Sequence, residues 1–136
     1  MKNLERITPL LGRILLALTF LVSGFGKIGG WNETAGYMAS KGMPLVPLFL
    51  VAGILLEIGG GLSVLLGFRA RLGAAALIVF LIPATFIFHN FWALEGMDQQ
   101  INMIMFMKNL SILGGLLLVV AFGPGPISID NRNREA

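Results

Sequence analysis

Apolar residues along this chain fall into four long, nearly continuous stretches separated by short polar segments. The stretches cover about residues 8–26, 46–67, 72–92 and 101–122. Each is close to the ~20 residues that an α-helix needs to cross a ~30 Å hydrocarbon core. The runs are continuous rather than alternating, and a membrane β-barrel would need many more of them. The pattern therefore predicts an all-α integral membrane protein, a four-helix bundle forming a single domain over 1–136.

Composition also favours a membrane location. Of 136 residues, 56% are hydrophobic and 12% are charged, whereas soluble domains carry about 25% charged residues. The chain has no cysteine, which excludes disulfides, thiol redox chemistry and iron–sulfur ligation. The net charge of +3 is not concentrated in a basic stripe, so we expect no nucleic-acid partner.

The first apolar stretch is predicted to be a retained helix rather than a signal peptide. Arg13 interrupts its apolar core, and no small-x-small cleavage site follows Phe25. Orientation follows from the basic residues that flank the spans. These are concentrated at both termini and in the second loop: Lys2, Arg6, Arg69, Arg71, Arg132 and Arg134. The distribution predicts that both termini and the second loop lie in the cytoplasm.

The first extracytoplasmic loop, about 29–45, predicts a short helix of its own. Asn32 is a suitable N-cap, and Pro44 prevents the helix from continuing far beyond Ser40. Trp31 suits the headgroup region. We therefore expect an interfacial helix that serves either as a plain connector or as a lid over the outer end of the bundle.

Six polar side chains lie within or at the edges of the spans. They are Arg13, Lys27, Glu57, His89, Lys108 and Asn109. A charge at membrane depth costs at least a few kcal/mol, so such groups usually face the bundle interior, pair with one another and mark a site. One histidine with one buried carboxylate falls short of the ligand set that zinc prefers, so no metal site is predicted.

The depth of each polar residue suggests its partner. A rise of about 1.5 Å per residue places Glu57 near the midplane, with Arg13 below it and Lys108 above it. Either cation could therefore pair with Glu57. Lys27, at a helix end, is expected to extend to the headgroups, and His89 near the outer face has a purely structural alternative. Buried ion pairs stabilise weakly because desolvation offsets the attraction, which favours a functional role.

Several motifs resemble the DoxX family of small bacterial membrane proteins. They run through the chain in order: Arg13-Ile14-Leu15, Ser23-Gly24-Phe25-Gly26-Lys27-Ile28, Glu57-Ile58-Gly59-Gly60-Gly61, Phe88-His89 and Phe106-Met107-Lys108-Asn109-Leu110. The resemblance implies a four-helix protein of the bacterial inner membrane, linked to quinones and described as an oxidoreductase without a settled mechanism. The six polar positions named above correspond to polar positions that recur in the family.

The leading interpretation is an oxidoreductase component that binds a quinone, or a similar apolar carbonyl ligand, non-covalently between the helices. In this interpretation Lys108 and His89 donate hydrogen bonds to the carbonyl oxygens, and Glu57 gives or takes a proton. Arg13, Lys27 and Asn109 would help to bind the ligand. The expected apolar walls are Phe20, Phe86 and Phe106.

No redox cofactor site is legible in the sequence, so electrons would come from a soluble or membrane redox partner. Two other classes of function stay open. A small proton or anion carrier would use the polar residues as a path, and a homo-oligomer would give it room. A non-catalytic accessory subunit would use them only to set the register of the helices.

Overall fold

The structure, a computed structural model, describes residues 2–135. Its helices are α1 (Lys2–Gly29), α2 (Trp31–Ser40), α3 (Val46–Leu66), α4 (Ala70–Phe88), α5 (Gly96–Phe122) and α6 (Ile129–Glu135), with a 3₁₀ turn at Phe91–Ala93. Four of them, α1, α3, α4 and α5, are long and apolar enough to cross a membrane. The predicted all-α, four-span fold is therefore confirmed. Orientation stays a prediction, and it draws partly on Lys2 and Arg134, which lie outside the residues whose side chains are described.

The predicted short helix exists, but its N-cap is Gly30 rather than Asn32. The backbone N–H of Gly30 still donates to the carbonyl of Gly26, 2.9 Å away, so α2 begins directly after α1 and leaves Asn32 inside its first turn. The helix ends at Ser40, and Gly42 just beyond it has φ +74°, a left-handed conformation that glycine adopts without strain. Met38 anchors α2, because it is buried against a cluster on the α3 side.

Glycines allow the spanning helices to approach closely. A Cβ at Gly60 of α3 would lie 2.7 Å from the Leu77 side chain and 3.0 Å from the Gly73 carbonyl oxygen of α4. A Cβ at Gly24 of α1 would lie 3.2 Å from the Cβ of Glu57 in α3. Small residues at such contacts allow packing that larger side chains prevent. The contact at Gly24 brings α1 directly against the acidic residue of α3.

The hydrophobic core lies mainly toward the end of the bundle that carries α6, called here the α6 end. The opposite end, which carries α2, is the α2 end and is predicted to be extracytoplasmic. The core draws on all four spans: Ala17, Phe20, Val64, Ala70, Ala74, Leu77, Leu81, Leu116 and Val119. Helices α1 and α5 meet where Leu16 packs on Gly115 and have few other contacts, which leaves space between them toward the α2 end.

The polar segment after α5 is bound to the bundle. The Asp130 carboxylate accepts hydrogen bonds from the backbone N–H groups of Arg69 (2.7 Å) and Ala70 (3.0 Å) at the start of α4. The Asp130 N–H donates to the Gly67 carbonyl at 2.8 Å. Asp130 thus supplies the cap that α4 otherwise lacks, because the first N–H groups of a helix have no intrahelical acceptor.

Candidate functional site

A cavity of about 460 Å³ opens among the spanning helices toward the α2 end. It is lined mostly by apolar side chains, but five of the six predicted polar residues also reach it: Lys27, Glu57, His89, Lys108 and Asn109. These residues come from α1, α3, α5 and the end of α4. The fold thus gathers into one cavity most of the groups that membrane energetics singled out.

The centre of the site is an ion pair between Lys27 and Glu57. Lys27 Nζ lies 2.8 Å from Glu57 Oε2 and donates a hydrogen bond to Oε1 at 3.0 Å. A second hydrogen bond runs from Lys27 Nζ to Ser23 Oγ at 2.6 Å. The Glu57 side chain is 2% exposed and that of Lys27 is 24% exposed. The carboxylate is therefore buried, while its partner borders the opening of the cavity.

This pairing corrects two predictions. Glu57 pairs with neither Arg13 nor Lys108, and Lys27 does not extend to the headgroups. The side chains of an α-helix lean toward its N-terminus, so the Lys27 stem turns back along α1 toward Ser23. Gly24 removes the side chain that would hold α1 and α3 apart at this level.

An aromatic residue that the sequence did not single out also borders the ion pair. Lys27 Nζ lies 5.6 Å from the centroid of the Phe80 ring, within the range of a cation–π contact. A Cβ at Gly53 would lie 3.3 Å from Phe80 Cε2, so the glycine makes room for the ring. Ser23, one helical turn before Lys27, could have been found from its i−4 spacing, whereas nothing in the sequence points to Phe80.

Helix α5 contributes a hydrogen-bonded amide and an exposed cation. Asn109 Nδ2 donates to Thr85 Oγ1 at 3.0 Å, and Thr85 donates in turn to the Leu81 carbonyl at 2.7 Å. Lys108 is exposed, and its Nζ has Met105 Sδ 3.2 Å away. No carboxylate of the described residues lies within salt-bridge distance of Lys108. Its ammonium is therefore available to a ligand at the edge of the cavity.

His89 lies at the C-cap of α4, beside the cavity. Its Nδ1 is 3.1 Å from Asn102 Oδ1, and Asn102 Nδ2 donates to the Asp98 carbonyl at 3.0 Å. The Asn102 oxygen can only accept, so this hydrogen bond forms in the tautomer that carries its proton on Nδ1. In the neutral ring, Nε2 is then a hydrogen-bond acceptor.

Three residues predicted for the site lie elsewhere. Arg13 does not line the cavity; it is 2% exposed, and its guanidinium donates to the carbonyls of Ile127 and, at 3.4 Å, Val64 at the α6 end. Phe86 and Phe106 also do not line the cavity, and they belong to an aromatic cluster with Phe91 and Trp92. Of the expected apolar walls, Phe20 lines the cavity.

The cavity is covered at one end and open at the side. Thr34, Tyr37 and Met38 of α2 line its outer end. The Tyr37 ring stacks on Phe88 with centroids 5.5 Å apart, which holds α2 against α4. On the α1 side, by contrast, the lining residue Val22 is 70% exposed, and α1 has few contacts with α5. The opening on that side faces the region that lipid would occupy.

Comparison with known proteins decides the family. The DoxX family model matches residues 8–90. The chain belongs to the DoxX family. It is 46% identical over 130 residues to inner membrane protein YqjF of Escherichia coli, covering 96% of this chain and 95% of that protein. It is 37% identical over 123 residues to inner membrane protein YphA of Escherichia coli, covering 90% of this chain and 88% of that protein.

A eukaryotic relative is also similar. The Surfeit locus protein 4 homolog of Schizosaccharomyces pombe is 32% identical over 130 residues, covering 82% of this chain and 42% of that protein. No solved structure matches. The four spans and the two inner-membrane relatives make this DoxX protein a multi-pass protein of the bacterial inner membrane.

The match to the DoxX family model covers only some of the residues that line the cavity. It includes Lys27, Glu57 and His89 but ends before α5, which carries Lys108 and Asn109. The matches to YqjF and YphA cover nearly the whole chain. The Lys27–Glu57 pair therefore lies in the part that the DoxX family model defines, and the α5 residues complete the cavity.

Proposed function

We propose that this DoxX protein is an oxidoreductase component that binds a quinone, or a similar apolar carbonyl ligand, non-covalently in its cavity. The observation that carries the proposal is a largely apolar space of about 460 Å³ that holds the Lys27–Glu57 pair, with its carboxylate buried. The space is bordered by the exposed Val22 on the side where α1 and α5 have few contacts. Ligand cavities typically have about 300–1,000 Å³, apolar walls and a few placed polar groups. A quinone dissolved in the bilayer would enter from the side.

The polar groups suit the two redox states of a quinone. Lys108, which has no carboxylate partner in the described part of the chain, would donate a hydrogen bond to a carbonyl oxygen. The free Nε2 of His89 would accept one from a quinol hydroxyl, a role that replaces the donor role expected from the sequence. Reducing a quinone to a quinol takes two electrons and two protons. The Lys27–Glu57 pair would exchange protons with the ligand, and the electrons would come from a redox partner.

The apolar packing at the α6 end disfavours the carrier alternative. A proton or anion path would have to continue from the cavity to the α6 end. The Arg13 guanidinium in that half of the bundle already donates to the Val64 and Ile127 carbonyls. The buried side chains packed there, including Leu77 and Leu116, offer no polar groups to a permeating ion. A ligand that enters and leaves through the bilayer needs no such path.

Co-purification tests the proposal. Wild type, Glu57→Gln and Lys108→Gln would be purified in mild detergent, and their quinones quantified by mass spectrometry per mole of folded protein. We expect near-stoichiometric quinone in wild type and about a tenfold loss in each variant, because hydrogen bonds to charged groups contribute about 1.5–3 kcal/mol. Glu95→Gln is the matched control, since Glu95 is exposed and does not line the cavity.

Two results would contradict the proposal. The first is a folded wild type that carries no more quinone than the total lipid extract predicts. The second is equal quinone content in wild type, Glu57→Gln and Lys108→Gln. Either result would favour a register-setting, accessory role for the polar residues.

A further inference from the structure

A second cavity, of about 520 Å³, lies at the α6 end, away from the proposed quinone site. It is formed by the loop before α4, the first turn of α4, the end of α5 and the segment that follows α5. Its lining includes Arg69, Arg71, Leu72, Phe122, Asp130 and the Gly123–Pro126 turn. Nothing in the proposed quinone chemistry uses these residues.

The charge of this cavity is positive. Asp130 is its acidic side chain, but both carboxylate oxygens already accept hydrogen bonds from the backbone N–H groups that start α4. Throughout the described residues, no carboxylate lies within 4.0 Å of the guanidinium of Arg69 or Arg71. Two guanidinium groups therefore line the space without a compensating ion pair.

The turn after α5 lies next to one of these arginines. Gly123 has φ +82°, and a Cβ there would lie 3.4 Å from Arg71 Nε. The Arg71 guanidinium thus lies close to the turn, and the prolines at 124 and 126 line the same cavity. Arg69 also lines the cavity, with its guanidinium carbon 5.8 Å from the Phe68 ring centroid.

The cavity also has an apolar border at the level where the spans end. Leu72, in the first turn of α4, is 66% exposed, and Phe122, the last residue of α5, is 80% exposed. In a membrane these side chains face acyl chains, while the arginines lie at the headgroup level. The combination of a cationic pocket and an adjoining apolar wall matches a molecule with a phosphate head and an acyl tail.

We propose that this cavity binds the phosphodiester of an anionic phospholipid, phosphatidylglycerol or cardiolipin. Arg71 and Arg69 bind phosphate oxygens, and the acyl chains lie along Leu72 and Phe122. Guanidinium groups present donors in a planar fork that matches phosphate, and basic pockets at the ends of spans recognise anionic lipid headgroups. A soluble phosphate offers the same head without the tail, and the apolar border favours the lipid.

Native mass spectrometry of the purified full-length chain tests this site. Wild type, Arg71→Gln and Arg69→Gln would be titrated with phosphatidylglycerol, cardiolipin and phosphatidylethanolamine, and separately with glycerol 3-phosphate. We expect wild type to retain the two anionic lipids over phosphatidylethanolamine, and each substitution to weaken that binding about fivefold, the effect of about 1 kcal/mol per basic residue. Arg71→Lys, which keeps the charge without the fork, should lose less.

Arg132→Gln is the control, since Arg132 is exposed on the same end but does not line the cavity. Circular dichroism would verify that each variant is folded, and Arg69→Gln gives an independent answer if Arg71→Gln is not. Equal retention of anionic lipid by wild type and both variants would overturn the site. Displacement of bound lipid by equimolar glycerol 3-phosphate would instead assign the cavity to a soluble phosphate and overturn the lipid proposal.

Discussion

Lys27 and Glu57, on different helices and 30 residues apart, form a salt bridge with a 2.8 Å N–O separation inside an apolar cavity. Gly24 lies at the level of Glu57, because a Cβ at Gly24 would be 3.2 Å from the Glu57 Cβ, and Lys27 is three residues further along α1, about 5 Å at about 1.5 Å per residue. The lysine stem covers much of that difference by turning back along α1. Without Lys27, no cation of the described residues would be hydrogen-bonded to the buried Glu57 carboxyl group.

Replacing one partner of the pair should therefore lower the free energy of unfolding more than replacing both. We expect Lys27→Met alone to lower the free energy of unfolding by about 2 kcal/mol, less than for a fully buried pair because Lys27 is partly exposed. The double variant Lys27→Met/Glu57→Gln should recover part of that loss, since no uncompensated charge is left buried. Unfolding of purified protein in mixed detergent micelles with increasing sodium dodecyl sulfate measures both. A double variant no more stable than Lys27→Met alone would contradict coupling between the two residues.

The sequence was sufficient to predict four spans and the lysines, the glutamate and the histidine that line the cavity. Apolar runs near 20 residues have little alternative to spanning helices. Lys27, Glu57, His89 and Lys108 stand out because charged or ionisable groups at such positions are costly without an interior role. Both arguments use only the order of apolar and ionisable residues, which can be read from a single sequence.

The pairings could not be predicted, because they depend on distances between helices. The choice of Lys27 over Lys108 as the partner of Glu57 follows from the close contact at Gly24. Arg13 lies outside the predicted site, because its guanidinium donates to the Ile127 carbonyl, in a turn 114 residues away. No periodicity within α1 indicates that contact.

The close contact between α3 and α4 gives a pair of glycine substitutions with opposite expectations. Gly60→Ala should destabilise the protein by about 1–3 kcal/mol, because its Cβ would lie 2.7 Å from Leu77 and 3.0 Å from a backbone oxygen. Gly59→Ala is the control, since its Cβ would meet no atom within 4 Å. It should be neutral or slightly stabilising. Thermal unfolding in detergent, followed by circular dichroism, compares them, and equal effects would contradict the packing at Gly60.

Asp130 provides a separate test of the contact between the segment after α5 and the start of α4. Asp130→Ala removes both acceptors from the N–H groups of Arg69 and Ala70 and should cost about 1 kcal/mol, as is usual for a lost N-cap. Asp130→Asn keeps one oxygen acceptor and should cost less. The same thermal unfolding assay ranks the three proteins. An Asn variant no better than Ala would show that charge, rather than the cap hydrogen bonds, holds the segment.

Ligand occupancy of the first cavity can be tested by chemical labelling, because the chain has no cysteine and any introduced thiol is unique. Ser23→Cys places a thiol on the cavity wall, whereas Ser40→Cys places one at the exposed end of α2. A short-chain quinone should slow the reaction of the first thiol with a small membrane-permeant reagent at least fivefold, since a ligand in the cavity covers it. The second thiol should react at the same rate with and without quinone. Equal slowing at both positions would mean that the quinone acts on the reagent or the micelle, and no slowing at Ser23→Cys would place the quinone outside the cavity.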